Sequence, residues 1–185
     1  METVTTEPLV ELLPLQWANF YTHYRWSESD RLQQEELGQT YPREPVYAFM
    51  RRFETLQAPA HPVWSYEVHA AGVLVGVATL DWSTPDSPPQ VRVTICSQAH
   101  RQRGYGTAAL GLLLDQAFER LHAVIVEATS RPEQSAWQSL LRSFQFKAMP
   151  ADNNHHWLIH RESYRAAPST DSTSKPITVR RARAA

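Results

Sequence analysis

The strongest constraint on this chain is a change of hydrophobic period between residues 63 and 122. Val63 to Val68 and Val73 to Leu80 are rich in strand-forming residues, and Ala70-Ala71-Gly72 between them reads as a hairpin turn. A Pro/Ser/Asp loop from Thr84 to Pro89 leads to a third strand, where Val91, Val93 and Ile95 alternate with Arg92, Thr94 and Cys96. A basic turn with two glycines follows. Leu110, Leu114, Ala117, Phe118 and Leu121 then place an apolar stripe on one long helix from about Tyr105 to His122. A strand meander that runs into a helix makes the chain a mixed one.

The flanks extend this alternation. Val4 to Leu12 is a β-like start broken by Pro8 and followed by Pro14. Trp17, Phe20, Tyr21 and Tyr24 have helical spacing, and the polar stretch from Ser27 to Gln39 reads as one short helix. Val46, Phe49, Met50 and Phe53 repeat the helical spacing, with Pro45 suited to a first turn and Pro59 and Pro62 ending the element. Beyond residue 122, Ala123 to Ala128 reads as a buried strand. Ser130 and Glu133 form a capping-box pattern around Pro132, ahead of a helix marked by Trp137, Leu140, Leu141 and Phe144. Phe146 to Met149 and His156 to His160 close the body as a strand pair around a polar loop, Asp152 to His155.

Composition narrows the class. The chain has 185 residues, 42% of them hydrophobic and 20% charged, which suits one globular domain. A single cysteine, Cys96, excludes a disulfide framework, and no Cys/His spacing reads as a zinc site. No apolar run approaches the roughly 20 residues that span a bilayer. Met1-Glu2-Thr3-Val4 does not read as a basic, apolar leader, so the expectation is a cytoplasmic protein with no membrane association. The total charge of −1 hides a split. From Pro168 onward, Lys175, Arg180, Arg181 and Arg183 stand against Asp171, a net +3 that leaves −4 for the rest. Residues 1–166 therefore read as the domain and 167–185 as a disordered basic tail. The acidic body argues against strong nucleic-acid binding, although the tail offers a weak basic contact for RNA.

The chemical signal is Arg101-Gln102-Arg103-Gly104-Tyr105-Gly106-Thr107, between a strand and a long helix. Such a turn leaves backbone N–H groups at a positive helix end. Gly104 and Gly106 let an anion approach the backbone, and Arg101 and Arg103 add charge. A pyrophosphate suits this site, as does a plain strand-to-helix connection. No Gly-Lys-Ser/Thr occurs, and Ala109 stands at best where a dinucleotide motif has its third glycine.

On these residues the chain resembles the GCN5-related N-acetyltransferase (GNAT) superfamily, whose acetyl-CoA motif, Arg/Gln-x-x-Gly-x-Gly/Ala, is filled by Arg101, Gly104 and Gly106. Glu127-Ala128 at a strand end is similar to the ribosomal-protein N-acetyltransferase (RimJ/RimL-type) branch. There Gln134 stands where Asn is usual, Trp137 where Ser is usual and Gln145-Phe146 where Gly-Phe is usual. The resemblance covers about Val4 to Glu162. It implies an α/β (α+β) fold: a mixed, mostly antiparallel sheet of about seven strands, split between strands 4 and 5 and flanked by about four helices. It further implies acetyl-CoA as co-substrate and no metal. The pantetheine arm would run along Ile95, Cys96 and Ser97, the pyrophosphate would sit on the backbone from Arg101 through Gln102, Arg103, Gly104, Tyr105 and Gly106 to Thr107, and Gln134 would lie nearby. The acceptor, a primary amine on a small molecule or a protein N-terminus, would enter between the N-terminal helices and the 152–155 loop.

Acetyl transfer needs a proton acceptor for the amine, a donor for the developing oxyanion and a proton for the thiolate. The resemblance implies a free backbone N–H near Cys96 or Ser97 as the oxyanion donor. The family's tyrosine acid falls on Leu141, and the fourth strand has no carboxylate. Glu127 is the nearest acidic candidate for catalysis, with Asp81 a weaker one. Asp152, His155 and His156 are better read as loop and hairpin than as metal ligands, because adjacent strand residues point to opposite faces. Trp26, Trp64 and Trp82 are candidates to border the acceptor groove. The acidic body mildly favours a cationic acceptor. An acyl-CoA-binding sensor with weak catalysis is the alternative function, and either a monomer or a homodimer is compatible with the chain.

Overall fold

A computed structural model describes residues 10–36, 42–58, 60–84, 86–149 and 156–166. The basic 167–185 segment and the 152–155 loop lie outside the described residues. A seven-stranded sheet runs in the order β1-β2-β3-β4-β5-β7-β6. The strands are β1 (Val10–Pro14), β2 (Val63–Ala70), β3 (Val73–Asp81), β4 (Gln90–Ile95), β5 (Ile125–Thr129), β6 (Lys147–Ala148) and β7 (His156–His160). Neighbours pair antiparallel except β4 and β5, which are parallel and meet at Gln90 and Glu127. From Val91 onward β4 has no β5 partner, and the sheet opens there as expected.

The β2–β3 hairpin turns on Ala71 and Gly72, both with positive φ, the geometry of a two-residue turn that matches strand twist. Gly76 on β3 is required by close approach, since a Cβ there would lie 2.2 Å from the Thr94 carbonyl oxygen.

The helices are α1 (Phe20–Glu36), α2 (Val46–Thr55), α3 (Tyr105–Asp115), α4 (Ser135–Ser143) and α5 (Arg161–Ala166). The polar stretch after Ser27 is therefore no separate short helix; α1 continues through it for 17 residues, because no glycine or proline interrupts 20–36. Trp17 precedes it in a 3-10 turn. The long helix after the glycine turn changes to a π segment at Gln116–Arg120, and Leu121 donates to the Gln116 carbonyl at 3.2 Å. The expected Ser130/Glu133 capping box does not form. Ser130 Oγ instead accepts from Trp157 Nε1 at 2.9 Å, and α4 starts later, after Gln134. The short α5 is docked by Tyr164, whose hydroxyl donates to Asp115 at 2.8 Å. Burial, followed by that bond, raises the Tyr164 phenol well above its ordinary range.

The two faces of the sheet differ. Ala78, Leu80, Val91, Val126, Ala128, Trp157 and Ile159 pack with α3 and with Leu141 of α4 in the main core. On the other face, Phe20, Phe49 and Phe53 join α1 to α2 in a smaller aromatic cluster. Trp64 and Trp82 belong to the main-core side, packed edge-to-face at 4.5 Å, with the Arg120 guanidinium over Trp64. Neither is among the described lining residues of the cavity on the opposite face.

Candidate functional site

The sheet opening and the start of α3 meet at the end of β4. Gly104 caps α3 in the left-handed region, with φ 80°, and a Cβ there would meet open space. The first intrahelical donor is Ala108, to the Gly104 carbonyl at 3.0 Å. The N–H groups of Tyr105, Gly106 and Thr107 precede it and are the orphan donors of a helix start. The Tyr105 side chain is buried in the core, so its backbone faces outward without obstruction from the ring. Gly106 acts differently from the sequence reading: an added Cβ would face Leu140 and Ile95 at 3.7 and 3.8 Å, towards the interior. Gln102, Arg103 and Thr107 are exposed, and Gln102 also has a positive φ, 59°. Arg101 spends its backbone N–H on Gln98 and its Nε on the Ile95 carbonyl at 3.0 Å.

Cys96 and Ser97 are in the expected place but are not free donors. Both N–H groups go to the single Val75 carbonyl, at 3.0 and 3.1 Å. Val75 is the extra residue where the β2–β3 register shifts. Two donors on one carbonyl make a bulge, which bends the end of β4. Since Cys96 turns towards β3, ladder alternation turns Ile95 and Val93 the other way, into the opening. The backbone edge offered to a ligand is therefore Val93 with the Ile95 N–H, since the Ile95 carbonyl accepts from Arg101.

A cavity of about 550 Å³ lies on the face away from α3. Alternate residues of β3 and β4 form its floor, Val77 and Thr79 with Arg92, Thr94 and Cys96. Trp26, Phe49 and Phe53 form its roof, and Arg101 and Gln98 border it at the end of β4.

Beside the cavity is a buried cluster that the sequence reading missed. Glu67 is fully buried and accepts four hydrogen bonds: from Gln16 N at 3.0 Å, Asn19 Nδ2 at 2.8 Å, His23 Nε2 at 2.9 Å and His69 Nε2 at 2.8 Å. Burial pushes the Glu67 carboxyl up, but the two imidazoles, the Gln16 amide and Asn19 outweigh it, so its pKa falls below the ordinary value. His23 also lines the cavity. The available signal was the period-2 row Ser65, Glu67, His69, a polar face opposite Trp64, Tyr66 and Val68.

Glu127 lies one strand away, paired with Gln90 of β4, and its carboxylate accepts from His156 Nδ1. It shares the cavity's side of the sheet, since Val126 and Ala128 face the core, but it is not among the cavity's described lining residues. Gln134 holds the turn before α4: its Oε1 accepts from Arg131 N at 2.9 Å. Leu141, where the family's tyrosine would stand, is fully buried. Among the described residues no His/Cys/Asp/Glu group could hold a metal ion, and no helix is long and apolar enough to cross a membrane.

The sheet thus opens beside β4, and the N-terminus of α3 follows at the same end of that strand. Residues 10–147 match the acetyltransferase (GNAT) domain, and the chain belongs to that family. The fold is similar to that of RimJ from Mycobacterium smegmatis in complex with CoA-disulfide, with a TM-score of 0.66 and 19% identity over 84% of this chain and 86% of that one. It is also similar to spermidine N-acetyltransferase from Vibrio cholerae in complex with CoA and spermine, with a TM-score of 0.69 and 13% identity over 84% and 98%. An acetyltransferase from Agrobacterium tumefaciens gives a TM-score of 0.64 and 18% identity over 87% and 95%. No curated protein sequence matches the chain significantly.

Proposed function

We propose that this protein is a cytoplasmic acetyl-CoA-dependent N-acetyltransferase, its domain spanning residues 1–166, that acetylates a primary amine by direct attack in a ternary complex. The observation that carries this reading is the coincidence of three features at one end of β4: the sheet opening, the orphan N–H groups of α3 and the mouth of the cavity. Acetyl-CoA supplies an activated acyl thioester. The residues present fit such a group, because Gly104 leaves open space at the helix start and Val93 and the Ile95 N–H lie on an edge that β5 does not pair, the Ile95 carbonyl being held by Arg101.

In this reading the backbone from Gln102 to Thr107 holds the pyrophosphate, with Arg101 and Arg103 adding charge. Ile95, with Cys96 and Ser97 shaping the bulge, aligns the thioester arm. The amine nitrogen forms its bond to the acyl carbon as the carbon–sulfur bond breaks, and the sulfur leaves as CoASH after taking a proton. Glu127, backed by His156, accepts the ammonium proton on the acceptor side. Alignment accounts for much of the rate, since effective molarities of about 10⁵ M or more are available to well-placed reactants. No side-chain acid stands at Leu141, so solvent supplies the thiolate proton. The buried Leu141 also favours a second reading, an acyl-CoA-binding sensor.

Measuring CoASH release from acetyl-CoA across a panel of small amines and peptides separates the two. Turnover with at least one acceptor class is expected. Tight acetyl-CoA binding by calorimetry without CoASH release on any acceptor would establish the sensor instead.

A further inference from the structure

We propose that the acceptor is a small amine carrying its own anionic group, a carboxylate or a phosphate, and that Arg92 binds that group. This rests on the acetyltransferase reading and names the substrate class of its site. The observation is the charge of the cavity. Its described lining includes Arg52, Arg92, Arg101 and His23 and not one Asp or Glu. That is the opposite of what the acidic body implied for an acceptor. Net charge is an average over the surface, whereas a concave site with low-dielectric walls focuses the field of its own lining.

The three arginines are not equivalent. Arg52 is committed, because its guanidinium meets Glu44 through two bonds, at 2.8 and 3.2 Å. His23 is committed to Glu67. Arg101 uses Nε on the Ile95 carbonyl, and the reading above gives its remaining charge to the cofactor's pyrophosphate. Among the described residues no carboxylate lies within 4.0 Å of the Arg92 or Arg101 side-chain nitrogens. Arg92 is therefore a guanidinium on the cavity wall with neither a carboxylate partner nor a cofactor group assigned to it. A guanidinium presents a planar fork that matches carboxylate and phosphate oxygens, so Arg92 suits an acceptor's anionic group. A polyamine would place several positive charges against it instead.

The placement suits catalysis. Arg92 and Thr94 share one face of β4, and Arg92 stands roughly 10 Å by strand rise from Ile95. Arg101, anchored to the Ile95 carbonyl, marks the phosphate end of that row, and the thioester arm runs from there towards Arg92. An acceptor held by Arg92 therefore lies near the end of β4 where Gln90 pairs with Glu127. A cavity of about 550 Å³ accommodates a small molecule, in the usual range for such sites.

The test uses the full chain with acetyl-CoA and acceptors matched in length: ω-amino carboxylates, aminoalkyl phosphates, neutral amino alcohols and spermidine. The expected result is a kcat/KM at least about 10-fold higher for an anionic acceptor than for its neutral counterpart, with the carboxylate and phosphate arms deciding which anion is preferred. Arg92→Gln should raise the KM of the anionic acceptor about 10- to 100-fold, leave the KM of acetyl-CoA unchanged and abolish the preference over the amino alcohol. Preference for spermidine, or a preference for anions that survives Arg92→Gln, would overturn the proposal. Calorimetry with CoA present separates it from the acetyltransferase reading. If no acceptor is acetylated but anionic amines bind and Arg92→Gln abolishes that binding, the site assignment stands and only the transfer reading fails. If anionic amines neither react nor bind, the assignment itself fails.

Discussion

Replacing Glu67 should reveal how much one buried carboxylate holds together. Its four donors come from the turn before α1 (Gln16, Asn19), from α1 itself (His23) and from β2 (His69). Glu67→Ala leaves all four without an acceptor. Each unsatisfied buried donor costs about 1–3 kcal/mol, but His23 borders the cavity and can meet water, so the full sum is not reached. Removing one side of a buried charged cluster generally costs about 3–5 kcal/mol, and that is the expected loss. Glu67→Gln keeps the volume and one acceptor oxygen, but its amide N–H₂ faces donors. One imidazole can change tautomer to accept from it, so a smaller loss, about 1–3 kcal/mol, is expected.

The pH dependence has a definite sign. The folded pKa of Glu67 lies below its ordinary value of 4.5, so its contribution is complete above that value and is lost as pH falls through the lower folded pKa. The stability difference between wild type and Glu67→Gln should therefore shrink as pH falls below that ordinary value. Urea unfolding followed by tryptophan fluorescence, repeated across pH 3–7, measures both quantities. The reasoning is refuted if Glu67→Ala changes stability by less than about 0.5 kcal/mol, or if the difference from Glu67→Gln widens in acid.

Gly76→Ala places a methyl group 2.2 Å from the Thr94 carbonyl oxygen, which forces β3 and β4 apart. A loss of about 2–4 kcal/mol is expected in the same unfolding assay, with weakened acetyl-CoA binding because the bulge at Cys96–Ser97 is displaced. Gly104→Val meets no neighbour but must hold φ 80°. It should cost only about 1–3 kcal/mol of stability while removing measurable acetyl-CoA affinity by calorimetry; unchanged affinity would show that the backbone there does not hold the phosphates. Glu127→Gln should lower kcat about 10-fold or more with acetyl-CoA affinity retained. Wild-type values for both would make the pair with His156 structural and leave His23 as the proton acceptor to test next.

Local patterning carried far in this chain. Alternation along 63–95, the hairpin at Ala71-Gly72 and the glycine turn before α3 depend on near neighbours, and each is a property of a short window of residues. The same windows misjudged element ends. Ser130 and Glu133 look like a helix start, yet a residue 27 positions away, Trp157, claims the Ser130 hydroxyl. Trp64 and Trp82 are candidates for the acceptor groove on sequence alone; the sheet packs them against the main core instead of into the described cavity lining.

By itself, then, the sequence determined the order of elements and the glycine turn before α3, because periodicity and backbone freedom are local; the opening beside the fourth strand was implied by the family resemblance. Tertiary structure alone decided what faces what. Glu67 gathers donors from 44 to 51 residues earlier in the chain, and Val75 takes the N–H groups of both Cys96 and Ser97, near which the family resemblance implied a free one. Arginines from α2, β4 and the β4–α3 turn converge on one cavity whose described lining holds no carboxylate, inside a body whose net charge is negative. Charge along a chain simply adds, but the field in a cavity depends on which few side chains the fold brings to its wall.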